Sequence, residues 1–438
     1  MIENDLHDTR LRATEALLFG LVPRGDPRSA PEALSELADL ADTGLFRVAG
    51  CVTQHRRHPD PNTYMGIGKV EELAELVGQT HAGVVICDEP LTPSQARNVE
   101  KVVGVPVLDR SELIIHIFAQ HASSPQARLQ VELAELQYQL PRLKRLWTHL
   151  ERQRGGIAVR GGAGEKQIDI DRSLLRSRIA QVKRELKRIG RRRSREVSSR
   201  GDRFTVALVG YTNAGKSTLM NRITSAGVVA EDKLFSTLDT RTRPWRLPGG
   251  RAVLLSDTVG FIRNLPHQLV ASFHATLEEA LNADLLLHVV DCSASGAREQ
   301  MQTVVAVLNE LSAASIPRIA VLNKVDRLAD RAELAPLLLQ EEHAVAVSAR
   351  TGEGIDNLAE LLHQHLGRSE RRIEILVPHH AGALHAEVRR NTTVLSESYN
   401  EEGCLMECLI SPSLLDRLLS RGAVLPTSTN DRHPESRA

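Results

Sequence analysis

A glycine-rich segment at residues 210–217 has the residue types and the spacing that bind nucleotide phosphates. It reads Gly-Tyr-Thr-Asn-Ala-Gly-Lys-Ser and lies between the apolar run Phe204–Val209 and a helical pattern. Glycines let backbone N–H groups curl around phosphates, and a helix N-terminus adds positive potential. We expect Lys216 to reach the β- and γ-phosphates and the Ser217 hydroxyl to ligate Mg²⁺. The predicted phosphate-binding residues are Gly210, Tyr211, Thr212, Asn213, Ala214, Gly215, Lys216, Ser217 and Thr218.

Two later segments indicate that the base is guanine. Asn323-Lys324-Val325-Asp326 follows the apolar run Arg318–Leu322. The Asp326 carboxylate can accept from guanine N1–H and the 2-amino group, and adenine would leave it unpaired at a cost of about 1–3 kcal/mol. The Asn323 side chain is expected to hold the surrounding loops together by hydrogen bonds. Ser348-Ala349-Arg350 follows another apolar run, where a backbone N–H from Ser348 or Ala349 can meet guanine O6.

The segment Asp257-Thr258-Val259-Gly260 is expected to sense Mg²⁺ and the γ-phosphate. Asp257 would hold Mg²⁺ through water, and the Gly260 N–H would contact the γ-phosphate. Many GTPases place a glutamine at the next position to orient the attacking water, and this chain has Phe261 there. Intrinsic hydrolysis should therefore be slow, with Lys216, Thr237 and Gly260 as the predicted catalytic residues.

The stretch between the lysine and this aspartate should contain a switch loop. We expect Thr237 to be the second protein ligand of Mg²⁺, with Thr240 as the alternative, and either residue could also be an ordinary loop threonine. Asn213 has two readings as well: it can help bind a monovalent cation such as K⁺ beside the phosphates, or only hydrogen-bond the loop. The predicted nucleotide contacts of the switch loop are Phe235, Ser236, Thr237, Leu238 and Asp239.

The elements that must position these residues follow an alternating pattern. Near-continuous apolar strands alternate with helices from residue 201 to residue 368, which predicts a mostly parallel, covered sheet. Residues 1–120 show a similar pattern on a smaller scale and predict an N-terminal α/β domain. There Gly66-Ile-Gly68-Lys69 could touch a phosphate, although such a turn before a helix more often only separates two secondary-structure elements. A small α+β domain at 369–424 and a disordered tail at 425–438 complete the predicted organisation.

The predicted strands are Ala13–Val22, Gly83–Cys87, Val105–Leu108, Phe204–Val209, Ala252–Ser256, Leu285–Val290, Arg318–Leu322, Ala344–Val347, Ile373–Val377 and Cys404–Ile410.

Residues 121–200 carry two heptad seams and a strong positive charge. The segment has 20 Lys/Arg and 8 Asp/Glu, whereas the whole chain has 55 of each. Leucines and Trp147 between 129 and 150, and apolar residues from 175 to 189, step by four and three. This spacing predicts an antiparallel helical hairpin joined by Gly155–Gly164 and kinked at Pro141. A basic arm with a glycine-rich tip favours a projection that contacts RNA, and a helix pair packed inside a globular domain is the alternative. Candidate RNA contacts are Arg160, Lys166, Lys183, Arg184, Lys187, Arg188, Arg191, Arg192 and Arg193.

Composition excludes several classes of protein. No apolar run approaches the ~20 residues that span a bilayer, and the charged N-terminus is unlike a signal peptide. The five cysteines lie mostly in apolar runs, and Cys404 and Cys408 lack a second ligand pair nearby in sequence, so we expect reduced thiols and not a zinc site. We expect a monomeric, cytoplasmic protein without membrane insertion, with peripheral contact to a membrane left open.

The chain resembles the HflX family of ribosome-associated GTPases across nearly its whole length. The resemblance implies an N-terminal α/β domain, a helical arm, a GTPase domain and a small C-terminal domain. It also implies GTP hydrolysis with Mg²⁺, binding to the large ribosomal subunit, and splitting of stalled or idle ribosomes. The segments that carry it are Pro61–Leu73, Asp109–Leu113, Ile117–Gln120, Leu129–Ala134, Leu140–Leu143, Trp147–Leu150, Asp257–Arg263, Leu265–His267 and Thr276–Glu279.

The arm tip departs from the family pattern. The family's tip typically reads R-G-P-G-E-[ST]-Q-L-E, and residues 160–169 here read Arg-Gly-Gly-Ala-Gly-Glu-Lys-Gln-Ile-Asp. Proline is lost and Lys166 replaces a small hydroxyl residue, which affects the tip's contacts and not the fold. Two other functions fit the motifs: a GTP-dependent RNA-modification or RNA-remodelling factor, and a GTP-switched regulatory binding protein. A modification enzyme of this type would carry a C-terminal catalytic cysteine, and this sequence ends Pro-Glu-Ser-Arg-Ala.

Overall fold

The structure is a computed structural model, and it describes most of the chain. Its described residues are 14–23, 29–143, 163–199, 204–224, 234–235, 241–248, 252–263, 281–339, 341, 343–369, 371–410 and 412–426. Within these ranges, the strands form three sheets of four, six and three strands. Among the described helices, none is both long and apolar enough to cross a bilayer.

The N-terminal sheet has four parallel strands in the order β2-β1-β3-β4. Buried apolar residues cover both faces, which explains why β3 is apolar throughout and β1 is apolar from Ala16 onward. The strands are β1 (Glu15–Val22), β2 (Arg47–His55), β3 (Val84–Cys87) and β4 (Val107–Asp109). The helices are α1 (Ala30–Ala33), α2 (Ser35–Thr43), α3 (Ile67–Thr80), α4 (Pro93–Val103) and α5 (Arg110–His121).

The central sheet has six strands in the order β10-β9-β8-β5-β7-β6, and only the β6–β7 pair is antiparallel. This is the mostly parallel sheet that the sequence predicts. The strands are β5 (Thr205–Gly210), β6 (Arg241–Arg246), β7 (Ala252–Asp257), β8 (Leu285–Asp291), β9 (Arg318–Asn323) and β10 (Ala344–Ala346). The described helices around it are α8 (Lys216–Thr224), α9 (Ala297–Glu310), α10 (Ala335–Leu338) and α11 (Ile355–Ser369).

The helical segment between these sheets differs in part from the predicted arm. Its first helix, α6 (Pro125–Gln139), packs on the N-terminal core with one face and on α7 (Ala163–Ser199) with another. The predicted seam residues Leu133 and Val182 are buried at the α6–α7 side, and a 3-10 turn at Leu140–Arg142 replaces regular helix at Pro141. The first part of the predicted projection is therefore packed against the globular body, as in the alternative reading.

The second arm helix is longer than the sequence suggests. With 37 residues, α7 is about 55 Å long at 1.5 Å per residue. It begins at Ala163, so the backbone of Gly164–Gln167, which we expected in the tip, is already helical. The remaining tip, including Arg160, lies outside the described residues, as does Trp147 of the first seam.

A C-terminal unit spans residues 371–426 and has its own core. Its antiparallel sheet has the order β11-β13-β12 and is accompanied by two described helices, which matches the expected small α+β domain. The elements are β11 (Arg371–Pro378), α12 (Gly382–Asn391), β12 (Thr393–Tyr399), β13 (Gly403–Ile410) and α13 (Pro412–Ser420).

Three strands were missed by the sequence analysis, namely β2, β6 and β12. All three lie at sheet edges. An edge strand pairs on one side only and carries polar side chains, so β6 (Arg-Thr-Arg-Pro-Trp-Arg) and β12 (Thr-Val-Leu-Ser-Glu-Ser-Tyr) lack an apolar run. Pro244 within β6 fits only such an edge position.

Candidate nucleotide-binding site

The glycine-rich loop connects β5 to α8, as its sequence predicts. Asn213 and Gly215 adopt left-handed backbone conformations, with φ of 59° and 93°. A Cβ atom at Gly215 would lie 2.3 Å from Asn323 Nδ2, so only glycine fits there. The buried Lys216 Nζ donates to the carbonyl oxygens of Gly210 (3.1 Å) and Tyr211 (2.8 Å), and burial lowers the pKa of Lys216 to about 8. The loop is thus curled around its lysine in the form that the phosphate-binding motif requires.

The two residues predicted to hold Mg²⁺ near this loop are in contact. Ser217 Oγ donates to Asp257 Oδ2 at 2.6 Å, and Asp257 is fully buried at the end of β7. A hydroxyl and a carboxylate are the hard oxygen donors that Mg²⁺ takes, so this pair fits the ion. The other predicted ligand, Thr237, and its alternative Thr240 lie outside the described residues, together with Ser236, Leu238 and Asp239.

The segment after β7 lies directly against the phosphate loop. A Cβ atom at Gly260 would lie 2.8 Å from Thr212 Cα and 3.1 Å from Lys216 Nζ, so glycine permits the approach. Phe261 exchanges backbone hydrogen bonds with the loop: its N–H donates to Gly210 O at 3.1 Å, and its carbonyl accepts from Thr212 N–H at 2.7 Å. The Phe261 ring is buried in the core, where it anchors this segment. Its role is structural, in line with the expectation that it orients no water.

Thr258 and Thr212, both predicted nucleotide contacts, also make internal hydrogen bonds. The buried Thr258 hydroxyl donates to Leu208 O at 2.6 Å and ties the segment to β5. Thr212 Oγ1 accepts from the Phe235 N–H at 2.9 Å, which fixes the start of the predicted switch loop on the phosphate loop. The Asn213 side chain is exposed and forms no hydrogen bond with another described residue, and both of its readings stay open.

The base-recognition segments meet through Asn323. Its amide donates from Nδ2 to Ala214 O at 2.8 Å and accepts at Oδ1 from the Ala349 N–H at 2.9 Å. One side chain thus joins three loops, as expected. The exposed Asp326 carboxylate accepts from Ser348 Oγ at 2.6 Å, and this hydrogen bond orients the group that would face guanine.

The two backbone N–H groups expected at guanine O6 also make hydrogen bonds within the protein. The Ser348 N–H donates to Glu353 O at 2.9 Å, and the Ala349 N–H is taken by Asn323. Both donors that we assigned to guanine O6 are therefore engaged within the protein, because the loop turns back at Glu353. The contact of this loop with guanine O6 stays a prediction.

Contacts that the sequence analysis missed link the site to the N-terminal sheet. Tyr211 OH donates to Glu36 Oε1 at 2.6 Å and accepts from the Arg263 N–H at 2.8 Å. The Arg263 guanidinium lies 2.9 Å from Asp88 Oδ2, just beyond β3. Fully buried Arg110 bridges Asp88 and Glu36, each at 2.7 Å. These five residues, here called the interdomain network, tie both the phosphate loop and the segment after Gly260 to the N-terminal sheet.

Two further contacts complete the surroundings of the site. The Phe235 ring lies edge-on to Phe118 of α5, with ring centroids 4.6 Å apart. Lys324 Nζ pairs with Asp291 Oδ2 at 2.6 Å, a partner that the sequence analysis did not single out. Asp291 ends β8 beside Asn323 in register, so its place at a strand end is the only signal that could have identified it.

The fold and the site define a P-loop GTPase, and comparison with known proteins gives the family. Family models match residues 31–119 ("GTP-binding GTPase N-terminal"), 121–200 ("GTP-binding GTPase Middle Region") and 205–324 ("50S ribosome-binding GTPase"). GTPase HflX of Magnetococcus marinus is 45% identical over 404 residues, covering 92% of this chain and 93% of its own. GTPase HflX of Escherichia coli is 41% identical over 406 residues, covering 89% and 94%.

The chain therefore belongs to the HflX GTPase family, and it is a GTP hydrolase. A solved structure of a GTP-binding protein from Sulfolobus solfataricus in complex with GDP is also similar, at 24% identity and a TM-score of 0.43. That match covers 80% of this chain and 98% of the other.

Proposed function

We propose that this GTPase binds the large ribosomal subunit in its GTP-bound form and splits stalled or idle ribosomes into subunits. The match to a family model described as a 50S ribosome-binding GTPase carries the proposal. An exposed basic stripe on α7 supports it. Lys183, Arg184, Lys187 and Arg188 are all exposed, and their spacing of one and four residues places them on one side of the helix.

Within the site, each described group has a proposed task. Lys216 and the loop N–H groups bind the phosphates, and Gly260 N–H senses the γ-phosphate. Ser217 would ligate Mg²⁺ directly, together with Thr237 from outside the described residues, and Asp257 would hold the ion through water. The ion would neutralise charge that develops on the phosphates during hydrolysis. Asp326 selects guanine, because it can accept from donors that adenine lacks.

The basic stripe should provide phosphate contacts to ribosomal RNA. Each phosphate contact releases counterions, so affinity falls steeply with salt. The other predicted RNA contacts on this helix lie on either side of the stripe, with Lys166 before it and Arg191–Arg193 after it, and their backbone is helical. This stripe would set the affinity. The glycine-rich tip, Gly155–Gln167, would add little affinity, but it would enter a crevice of the ribosome and disturb the subunit contacts or substrates there.

Sedimentation of the purified protein with large subunits tests the proposal. Binding is expected with a non-hydrolysable GTP analogue and should weaken with GDP. The variant Lys183→Gln/Arg184→Gln/Lys187→Gln/Arg188→Gln should lower the slope of log affinity against log salt by up to about 3. The matched control swaps each lysine for arginine and each arginine for lysine, and it should keep the wild-type slope. Equal slopes in the neutralised variant and the control would contradict an RNA-binding role for the stripe.

A further inference from the structure

Three potential metal ligands converge in the C-terminal unit, far in sequence from the nucleotide motifs. They are His385 on α12, Glu397 on β12 and Cys404 on β13. One ligand atom from each lies within 4.8 Å of the other two. Among the described residues, this is the one such group of three. Each ligand comes from a different element, so no sequence spacing could have predicted the cluster.

The imidazole of His385 supplies an independent observation. Its Nε2 atom is buried and has no hydrogen-bond partner among the described residues. A buried polar atom without a partner costs about 1–3 kcal/mol, so such atoms call for a ligand that satisfies them. The Cys404 side of the cluster is also enclosed, because Cys404 is only 3% exposed. A cation between these two atoms would satisfy the nitrogen and occupy the thiol.

The carboxylate of Glu397 is already oriented toward this point. Arg389 Nε donates to Glu397 Oε1 at 2.8 Å, and Arg389 Nη2 contacts Oε2. Metal-ligating carboxylates commonly have such an outer hydrogen-bond partner, which fixes their direction. Arg389 therefore fixes the direction of both oxygens, and each oxygen keeps a second lone pair that can bind a cation.

The chemistry of the donors selects the ion. Sulfur, imidazole nitrogen and carboxylate oxygen together suit Zn²⁺, whereas Mg²⁺ prefers oxygen ligands alone. Three protein ligands leave a fourth tetrahedral position. His385 and Glu397 are only partly buried, so solvent can reach the cluster from their side. Water can fill the remaining position.

We propose that His385, Glu397 and Cys404 form a zinc site that joins α12 to β12 and β13. The unit has about 56 residues and a core of its own, a size at which a hydrophobic core alone gives little stability. A structural metal is one of the devices by which such small units are stabilised. The inference does not depend on ribosome binding or on GTP hydrolysis.

Zinc titration of the full-length protein tests the proposal. The protein is kept saturated with Mg²⁺ and GDP, so that the nucleotide site does not take up Zn²⁺. We expect one Zn²⁺ per chain in competition with a chromophoric chelator, and a cobalt–thiolate charge-transfer band when Co²⁺ is used instead. His385→Ala and Cys404→Ser should abolish the band, and Arg389→Gln should weaken Zn²⁺ binding about 10–100-fold.

Cys408→Ser is the matched control, because Cys408 is a buried cysteine on the same strand and outside the cluster. It should keep both the stoichiometry and the band. Amide hydrogen exchange of β13 verifies that each variant is folded without metal, and Glu397→Gln gives a milder test if Cys404→Ser fails this check. Absence of stoichiometric Zn²⁺ in the wild type, or unchanged binding in the folded ligand variants, would overturn the proposal.

Discussion

His288 lies at the centre of the six-stranded sheet and should make stability depend on pH. It is fully buried on β8 between β5 and β9, and neither ring nitrogen has a hydrogen-bond partner among the described residues. Burial, together with the nearby charges of Arg318 and Lys216, lowers its pKa to about 3. The folded protein therefore holds His288 neutral, whereas the unfolded chain protonates it at a pKa of about 6.5.

The sign and the size of the effect follow from proton linkage. The stabilising contribution is fully present above about pH 6.5 and is lost as pH falls toward 3, because protons bind preferentially to the unfolded chain. Between pH 7.5 and pH 5.5 the free energy of unfolding falls by about 1.4 kcal/mol. The reason is that protonation of the histidine stabilises the unfolded chain by about that much more at pH 5.5 than at pH 7.5. Other groups titrate over the same range, so the informative quantity is a difference between variants.

The comparison is between the wild type and His288→Leu, which has a similar volume and no polar atoms. The chain has two tryptophans, so a Trp147→Phe background leaves Trp245, buried in β6 of the same sheet, as the fluorescent reporter of urea unfolding. The parent should lose about 1.4 kcal/mol more than His288→Leu between the two pH values. Equal losses would refute the reasoning. At pH 7.5 the variant should also be more stable, because it buries no unpaired nitrogen.

Three further predictions concern the nucleotide site. Asp326→Asn should weaken GTP binding by about 1–3 kcal/mol and favour xanthine nucleotide, which titrations with GTP, ATP and XTP would measure. If ATP competed equally with GTP in the wild type, guanine selection would be contradicted. If Asn213 helps bind K⁺, replacing K⁺ by Na⁺ should slow hydrolysis, and Asn213→Ala should erase the difference; equal rates in both salts would leave a loop role. Tyr211→Phe removes the hydroxyl that accepts from the Arg263 N–H, so amide hydrogen exchange at residue 263 should accelerate about tenfold or more while GDP stays bound. Unchanged exchange would show that the interdomain network does not hold the segment after Gly260.

Features encoded in short segments could be predicted from the sequence. The phosphate loop, the Asn323–Asp326 segment and the Asp257–Gly260 segment each occupy a strand end, because the apolar strands of a covered parallel sheet are recognisable. The seam positions Leu133 and Val182 were also predictable from their heptad spacing. Edge strands such as β6 could not be predicted, because half of their backbone faces solvent and their side chains are polar.

Contacts between distant segments had no sequence signal. Arg263 and Asp88 are 175 residues apart, and their pairing depends on how the N-terminal sheet lies against the GTPase core. The same holds for His385, Glu397 and Cys404, which come together only because α12 packs on the C-terminal sheet. The internal hydrogen bonds of the Ser348 and Ala349 N–H groups, which were expected at guanine O6, also had no sequence signal, because a local turn forms them.

The central claim is that GTP binding lets this protein separate ribosomal subunits, and sucrose-gradient analysis of intact ribosomes tests it most directly. With a non-hydrolysable GTP analogue, the wild type should convert the intact-ribosome peak into free subunits, and Lys216→Ala should leave that peak unchanged. Replacing residues 155–162 by a Gly-Ser loop keeps α7 from Ala163 onward. This variant should still bind large subunits and should fail to split ribosomes. Intact ribosomes that persist with the wild type and the GTP analogue would contradict the account.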